Sequence, residues 1–288
     1  MNGSNPRMRV GVIGSSGFIG RHLGAALAKR GDDVVSASLR EPEAAAAAVE
    51  GCEVIVNLAG EPIAQHWTPA VKVHLRSSRV DATHALIDAL SRSRNAARAY
   101  ISASAIGYYP ASENATFTEA SAPGHDFLGE MCAAWEHEAS RAAELGMRVA
   151  IVRTGVVLGA DGGALAKMLP PFRLGLGGPI GNGKQWISWI HIDDIVGIYL
   201  AAIDGASGIF NGTAPRPATN AEFTHALGRA LRRPAFLPTP TFALRAMLGE
   251  GADLLLTGAR VLPEHTLASG YTFAFSSLDD ALASLLHG

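Results

Sequence analysis

The stretch Gly14-Ser15-Ser16-Gly17-Phe18-Ile19-Gly20 constrains this chain more than any other because of what stands on either side of it. Before it, Arg9 to Ile13 is a run of strand-forming residues. After it, Gly20 to Arg30 places Leu23, Ala26 and Leu27 at helical spacing. A strand, a glycine-rich turn and a helix in that order form the context in which a dinucleotide is bound. Gly14 permits a tight turn, Gly17 lets the backbone approach a pyrophosphate, and Gly20 brings helix and strand close. The helix N-terminus then offers N–H groups to the phosphates.

The alternation continues. Val34 to Ser38 reads as a second strand, Glu41 to Val49 as an alanine-rich helix, and Val54 to Leu58 as a buried strand. Arg79 to Leu90 gives a helix and Ala99 to Ser104 another strand. Phe127 to Leu145 repeats Leu128, Met131, Cys132, Trp135, Ala139 and Ala142 at three and four, a long amphipathic helix, and Val149 to Val152 follows as a strand. The pattern predicts an α/β fold with a doubly wound parallel sheet. From Gly159 to Lys184 glycine and proline accumulate and the chain leaves the sheet. Trp186 to Ile192 reads as a returning strand and Ile195 to Ile203 as its helix. The remainder has helical stretches at Ala221 to Leu231 and Phe242 to Leu256 and an aromatic run at Tyr271 to Phe275. The expected division is a disordered polar leader at 1–7, a nucleotide-binding domain of 8–165 with 186–204, and a smaller C-terminal α/β substrate domain of 166–185 with 205–288.

Composition narrows the function. With 48% hydrophobic and 17% charged residues over 288, the chain buries a core and is not a disordered segment. A formal net charge of -2 supplies no field for a nucleic acid or an anionic membrane, so neither is expected as a partner. The two cysteines, Cys52 and Cys132, cannot form a disulfide framework or a zinc cluster, and a reducing compartment, the cytoplasm, is expected. No uncharged apolar run reaches the ~18 residues of a membrane span, and the start has no signal-peptide core.

The second strand ends in Ser36, Ser38 and Arg40 rather than in the acid that lies about 20 residues beyond the glycines in NAD-binding folds. A carboxylate there repels a 2′-phosphate, whereas the Arg40 guanidinium can pair with one. NADP(H) is therefore favoured over NAD(H). The competing reading is a solvated Arg40 paired with Glu41 or Glu43.

Taken together, the Gly14 to Gly20 turn, Asn57-Leu58-Ala59-Gly60, Ser102-Ala103-Ser104-Ala105-Ile106-Gly107-Tyr108-Tyr109 and Trp189-Ile190-His191-Ile192-Asp193-Asp194 resemble the extended short-chain dehydrogenase/reductase superfamily, close to its NAD-dependent epimerases. More narrowly, Arg153-Thr154-Gly155-Val156-Val157-Leu158-Gly159, Gly177-Gly178-Pro179-Ile180-Gly181 and Asn211-Gly212-Thr213-Ala214-Pro215 resemble its atypical branch of epimerase family proteins, which carry a C-terminal domain of unknown function. The resemblance runs from Arg9 onward. It implies a Rossmann fold binding NADP(H), with cofactor contacts from Leu58, Ala59, Gly60, Ser102, Thr154 and Gly155 in addition to Gly14, Ser15, Ser16, Gly17, Phe18, Ile19, Gly20 and Arg40.

One departure from the superfamily bears on chemistry. Its active members use a Tyr with a Lys four residues later, the Lys charge lowering the Tyr pKa for proton exchange with substrate. On the corresponding helix this chain has Cys132-Ala133-Ala134-Trp135-Glu136. Cys stands at the Tyr position and Glu at the Lys position, so the usual mechanism cannot run. The candidates for substitute chemistry are Ser104, where the resemblance places the catalytic Ser, the phenols of Tyr108 and Tyr109, Glu136 and Cys132. Each has a plainer alternative. Tyr109 before Pro110 can be a turn anchor, Glu136 can pair with a basic side chain, and Cys132 can be a buried inert thiol.

Other motifs carry less. His191 and Asp194 lack a second His at ligand spacing, so no metal is expected and their role reads as structural. Gly178 to Lys184 nearly spells a P-loop, but Gln185 follows in place of Ser or Thr and a strand follows in place of a helix. Lys184 faces either the cleft or solvent. Ser15 and Ser16 form no nucleophile elbow, since position 18 is Phe. Two functions follow: an oxidoreductase or epimerase-like enzyme on a small polar or sugar-like carbonyl compound, or a non-catalytic NADP(H)-binding sensor or partner protein. Either is expected as a monomer or homodimer.

Overall fold

A computed structural model describes residues 7–287. Apart from Arg7, the expected leader lies outside the described residues. Six strands form the main sheet: β1 (Arg9–Ile13), β2 (Asp33–Ala37), β3 (Val54–Asn57), β4 (Ala99–Ala105), β5 (Arg148–Thr154) and β6 (Gly208–Gly212). Their order is β2-β1-β3-β4-β5-β6, with every neighbouring pair parallel.

The period-two alternation of the strands explains why helices cover both faces. On one face Val10, Val12, Val54, Val56 and Ile101 meet Leu23 and Leu27 of α1 (Phe18–Arg30). On the other, Ile13, Ile55, Tyr100 and Ile151 meet α2 (Pro42–Ala48) through Ala45 and Ala46. After α3 (Pro69–Ser77) the same face receives Leu86 and Leu90 of α4 (Val80–Arg92) and Ala139 of α5 (Phe127–Ser140). The first face is completed by α7 (Ile192–Asp204), which follows α6 (Gly163–Arg173) and contributes Ile195 and Ile198. The winding reverses between β1 and β3. A doubly wound sheet opens its ligand crevice at such a switch point, beyond the carboxyl ends of the strands.

A second lobe is built from α6, α8 (Asn220–Leu231) and the helix Leu278–His287 around Leu165, Phe172, Trp189, Phe223, Leu227 and Leu282. Three short strand pairs tie it to the sheet domain: Val156–Leu158 with Trp189–His191, Trp186–Ile187 with Ala218–Thr219, and Thr116–Phe117 with Arg260–Val261.

Several expectations need correction. A domain boundary at 205 cuts the main sheet, because Gly208–Gly212 is its edge strand. The single strand Trp186 to Ile192 is two strands with different partners. Ser188 breaks it, its hydroxyl donating to the Ala259 carbonyl at 2.8 Å and accepting from the Val261 N–H at 3.0 Å. The helix over Phe242 to Leu256 stops at Leu248 of α9 (Thr241–Leu248), where Gly249 adopts φ +58, and resumes only as Asp253–Leu256. The aromatic run Tyr271 to Phe275, to which the sequence assigned no element, is irregular. Its backbone is clasped by Asp194, whose carboxylate accepts from the N–H groups of Ala274 at 2.8 Å and Phe275 at 3.0 Å.

Candidate functional site

At the switch point two turns touch. Gly14 adopts φ +84, and a Cβ there would stand 2.9 Å from the Ala59 nitrogen. Asn57 shapes the second turn: its Oδ1 accepts from the Ala59 N–H at 3.1 Å, and its Nδ2 donates to the Tyr100 hydroxyl at 3.0 Å. A Cβ on Gly20 would lie 2.3 Å from the Gly14 carbonyl oxygen, so helix and loop are in backbone contact. α1 starts at Gly17 with no side-chain cap and no acid in its first turn. Its leading N–H groups and the positive end of its dipole are therefore left to an anion.

The expected cofactor residues divide accordingly. Gly14, Gly17, Gly20, Ala59 and Gly60 form the cradle, with Ser15 half-buried and Ser16 exposed beside it. The Phe18 ring turns inward, against positions where Gly159, Gly162 and Gly163 have no side chain, and Ile19 joins the core. Leu58 is half-buried against that core. Arg40 is exposed just past β2 and forms no ion pair among the described residues, while Glu43 pairs with Arg92 at 3.7 Å. Ser102 is fully enclosed, its hydroxyl turned to the Ala103 carbonyl at 3.0 Å, and it does not reach the crevice. Thr154 donates to the Val152 carbonyl at 3.3 Å, and Gly155 is a glycine because a Cβ would meet the Ser188 carbonyl at 2.4 Å.

The expected catalytic residues gather in a buried polar knot. Asp126 caps α5 by accepting from the Gly129 N–H at 2.8 Å, and the helix so started delivers Glu136 beneath β4 and β5. Arg153, 1% exposed, holds Glu136 as a fork, Nε to Oε1 and Nη2 to Oε2, both at 2.8 Å. Ser104 donates to the same Oε1 at 2.6 Å. Arg153 Nη1 donates to the Tyr109 hydroxyl at 2.8 Å, and that hydroxyl donates to Asn211 Oδ1 at 2.7 Å. Burial pulls the Arg153 pKa down, but the hydrogen bonds and charge of Glu136 outweigh it, so the guanidinium is held firmly charged.

These contacts assign roles. With both carboxylate oxygens occupied, Glu136 is the counterion of Arg153 rather than a free acid or base. Tyr109 is 3% exposed, and burial pushes its phenol up to about 12 despite Arg153. It anchors the knot to β6. Tyr108 is half-buried with its ring 3.4 Å from the Arg153 guanidinium carbon and has no hydroxyl partner among the described residues. Cys132 is 1% exposed; burial and then the Glu136 charge push its thiol up to about 12, against the pull of Arg79, so it is an unreactive thiol. His191 donates nothing to the site: its Nδ1 accepts from the Asp193 N–H at 3.1 Å, and its ring stacks on Phe275. Among the described residues no cluster suits a metal ion and no helix is long and apolar enough to cross a membrane.

Sequence reasoning missed Arg153, Asn211, Glu119 and Arg79. The Glu119 backbone carbonyl accepts from Arg153 at 3.3 Å, and its carboxylate accepts from the Asn211 N–H at 3.0 Å. An arginine closing a run of strand residues, as Arg153 does, is the available signal, since a buried strand accepts a cation only with a partner.

A parallel sheet with a glycine cradle at its switch point and a Ser on β4 beneath it defines an extended short-chain dehydrogenase/reductase fold. The NAD dependent epimerase/dehydratase family matches residues 10–212, and a domain of unknown function, DUF1731, matches 239–285. The chain belongs to this epimerase family. The Arabidopsis thaliana protein "Epimerase family protein SDR39U1 homolog, chloroplastic" is 41% identical, covering 97% of this chain and 87% of that protein. The Homo sapiens "Epimerase family protein SDR39U1" is 40% identical over 97% of this chain and all 100% of its own length. A crystal structure of the human protein (isoform2) with NADPH superposes with a TM-score of 0.91 at 38% identity, over 97% of this chain and 99% of that one.

Proposed function

We propose that the protein binds NADP(H) and is an oxidoreductase or epimerase acting on a small polar or sugar-like carbonyl compound. The observation that carries the reading is the cradle: Gly14 against Ala59 and Gly20 against Gly14, under an uncapped helix N-terminus. The Gly14 to Gly20 backbone would hold the diphosphate and Arg40 the 2′-phosphate, which favours NADP(H) over NAD(H). The similarity to the human protein solved with NADPH supports the same choice. The nicotinamide supplies hydride exchange when bound. Ser104 and Tyr108, at the carboxyl end of β4, are then the polar side chains that meet substrate. The Ser104 proton is committed to Glu136, so toward a substrate hydroxyl its oxygen accepts. Tyr108 lays its ring against the Arg153 guanidinium and leaves its hydroxyl without a partner among the described residues, free to exchange a proton with a substrate oxygen.

A second reading rests on a specific observation. Glu136, Arg153 and Tyr109 are consumed by one another and no Tyr–Lys pair is present, which fits a non-catalytic NADP(H)-responsive binding protein. Thermal unfolding with NADPH, NADP⁺ and NADH, in the wild type and Arg40→Ala, tests cofactor binding. Ligand at a hundred times its Kd adds about 2.7 kcal/mol, a shift of several degrees. Stabilisation by the phosphorylated nucleotides that vanishes in Arg40→Ala supports the assignment, and no shift with any nucleotide in cofactor-free protein overturns it. Consumption of NADPH by a carbonyl panel, slowed in Ser104→Ala without loss of binding, separates enzyme from sensor.

A further inference from the structure

The superfamily's lysine is missing from α5, yet a cation stands in the crevice from another direction. Arg79, the residue immediately before α4, is half-buried and lays its guanidinium on the turn after β3. A Cβ on Gly60 would stand 3.1 Å from its Cζ, 3.2 Å from Nη2 and 3.3 Å from Nε, so the bare glycine gives the guanidinium its place. The group also lies 5.5 Å from the centre of the Trp135 ring, on the helix that carries Cys132. Trp135 is fixed in turn by its indole N–H donating to Thr83 at 3.2 Å.

Its hydrogen bonds are all to neutral acceptors. Nη1 donates to the Leu75 carbonyl at 3.1 Å and to Ser78 Oγ at 3.4 Å, and Nη2 to the Glu61 carbonyl at 2.7 Å. No carboxylate pairs with it among the described residues, although Arg153, the other buried arginine of the site, is fully matched by Glu136. Nε–H and the second hydrogen of Nη2 have no partner among the described residues. Gly60 lies against the face of the guanidinium, where a Cβ would be nearest Cζ, and the two unpartnered N–H groups remain to donate to oxygens of an anion or polyol. Burial, offset in part by Cys132 and Glu61, lowers the Arg79 pKa, as expected of a cation short of counter-charge.

We infer that Arg79 holds the nicotinamide half of the dinucleotide, through an oxygen of its diphosphate or adjoining ribose, and is the cation that replaces the absent lysine. The inference rests on the NADP(H) reading. It follows from topology: Arg40 fixes the 2′-phosphate end beside β2, and the α1 N-terminus above β1 takes the diphosphate. The remaining half falls on the β3 side, where Arg79 is.

The test is binding by calorimetry with two probes, NADPH and adenosine 2′,5′-bisphosphate, which lacks the nicotinamide half. Arg79→Gln is expected to weaken NADPH by about tenfold to a hundredfold, the worth of a charged hydrogen bond, and to leave the bisphosphate unchanged. That unchanged affinity also shows that the variant is folded. Arg79→Lys, which keeps the charge, recovers part of the loss. Unaltered NADPH affinity in Arg79→Gln, equal weakening of both probes, or a Lys variant no better than Gln each overturns the inference while the NADP(H) reading stands. A wild type that binds neither probe overturns both.

Discussion

Replacing Arg153 by Met removes one partner of an ion pair whose members are 1% and 7% exposed. The Glu136 carboxylate is then buried without its cation, and Ser104 alone remains to donate to it. Breaking such a pair from one side costs about 3–5 kcal/mol, because the orphaned charge has lost both water and counterion. At roughly 2–4 °C per kcal/mol the midpoint of thermal unfolding falls by about 6–20 °C. Glu136→Met should cost a similar amount, since it leaves the guanidinium stranded. The double variant leaves no unpaired charge, and it should be clearly more stable than the sum of the single effects predicts. The assay is urea unfolding of the four proteins as a double-mutant cycle, repeated at low salt and at about 1 M salt. Salt should leave the cycle unchanged, because a buried pair is screened little. Single variants that each cost less than about 1 kcal/mol, or a double variant equal to the sum, would refute the reasoning.

Three further outcomes are expected. Gly20→Ala drives a methyl into the Gly14 carbonyl and should erase the nucleotide-induced thermal shift; a full shift in that variant means that helix and loop need not touch. Cys52 and Cys132, 0% and 1% exposed with thiols raised by burial, should resist a thiol reagent in the native protein and both react in denaturant; rapid native labelling of Cys132 would contradict its burial. Burial lowers the His191 pKa below 6.5, with Asp193 and Asp194 offsetting part of the shift. The unfolded chain therefore binds the proton first, and stability present above pH 6.5 is lost as pH falls toward the folded value, by at most about 1.4 kcal/mol per pH unit. His191→Gln should flatten that part of the stability curve against pH, and an unchanged slope would assign it to other groups.

The local elements were legible where one period dominated. Alternation in Val10, Val12, Val54 and Val56 and the glycines of the first turn specify the sheet and its crevice, because period and backbone sterics are written in neighbouring residues. The breaks at Ser188 and Gly249 were not legible, since each answers a distant partner: the Ala259 and Val261 backbone in one case, the 65–67 segment in the other. The candidate site was half legible. Ser104 and Glu136 are singled out because the resemblance puts them at the superfamily's Ser and Lys positions, and they do meet. Their arbiter, Arg153, passed for one residue of a motif that carried only the family resemblance, and Arg79 for the first residue of a helix. A charge shows its role only through its counter-charge, and counter-charges are set by the fold rather than by spacing.

The Arg153 knot reaches far along the chain. Asn211, which receives the Tyr109 hydroxyl, donates its own amide to the Leu262 carbonyl at 2.9 Å, and Thr266 donates to the Asn211 carbonyl at 3.1 Å and to Glu119 at 3.3 Å. A ribosome that has released only the first 212 residues has therefore delivered all six strands of the main sheet, yet neither Leu262 nor Thr266. Until they arrive, one edge of the knot is open to water. The site beneath β4 is thus among the last regions to be sealed as the protein is made. A nascent chain stalled short of residue 262 would carry the glycine cradle complete beside a polar knot still wet.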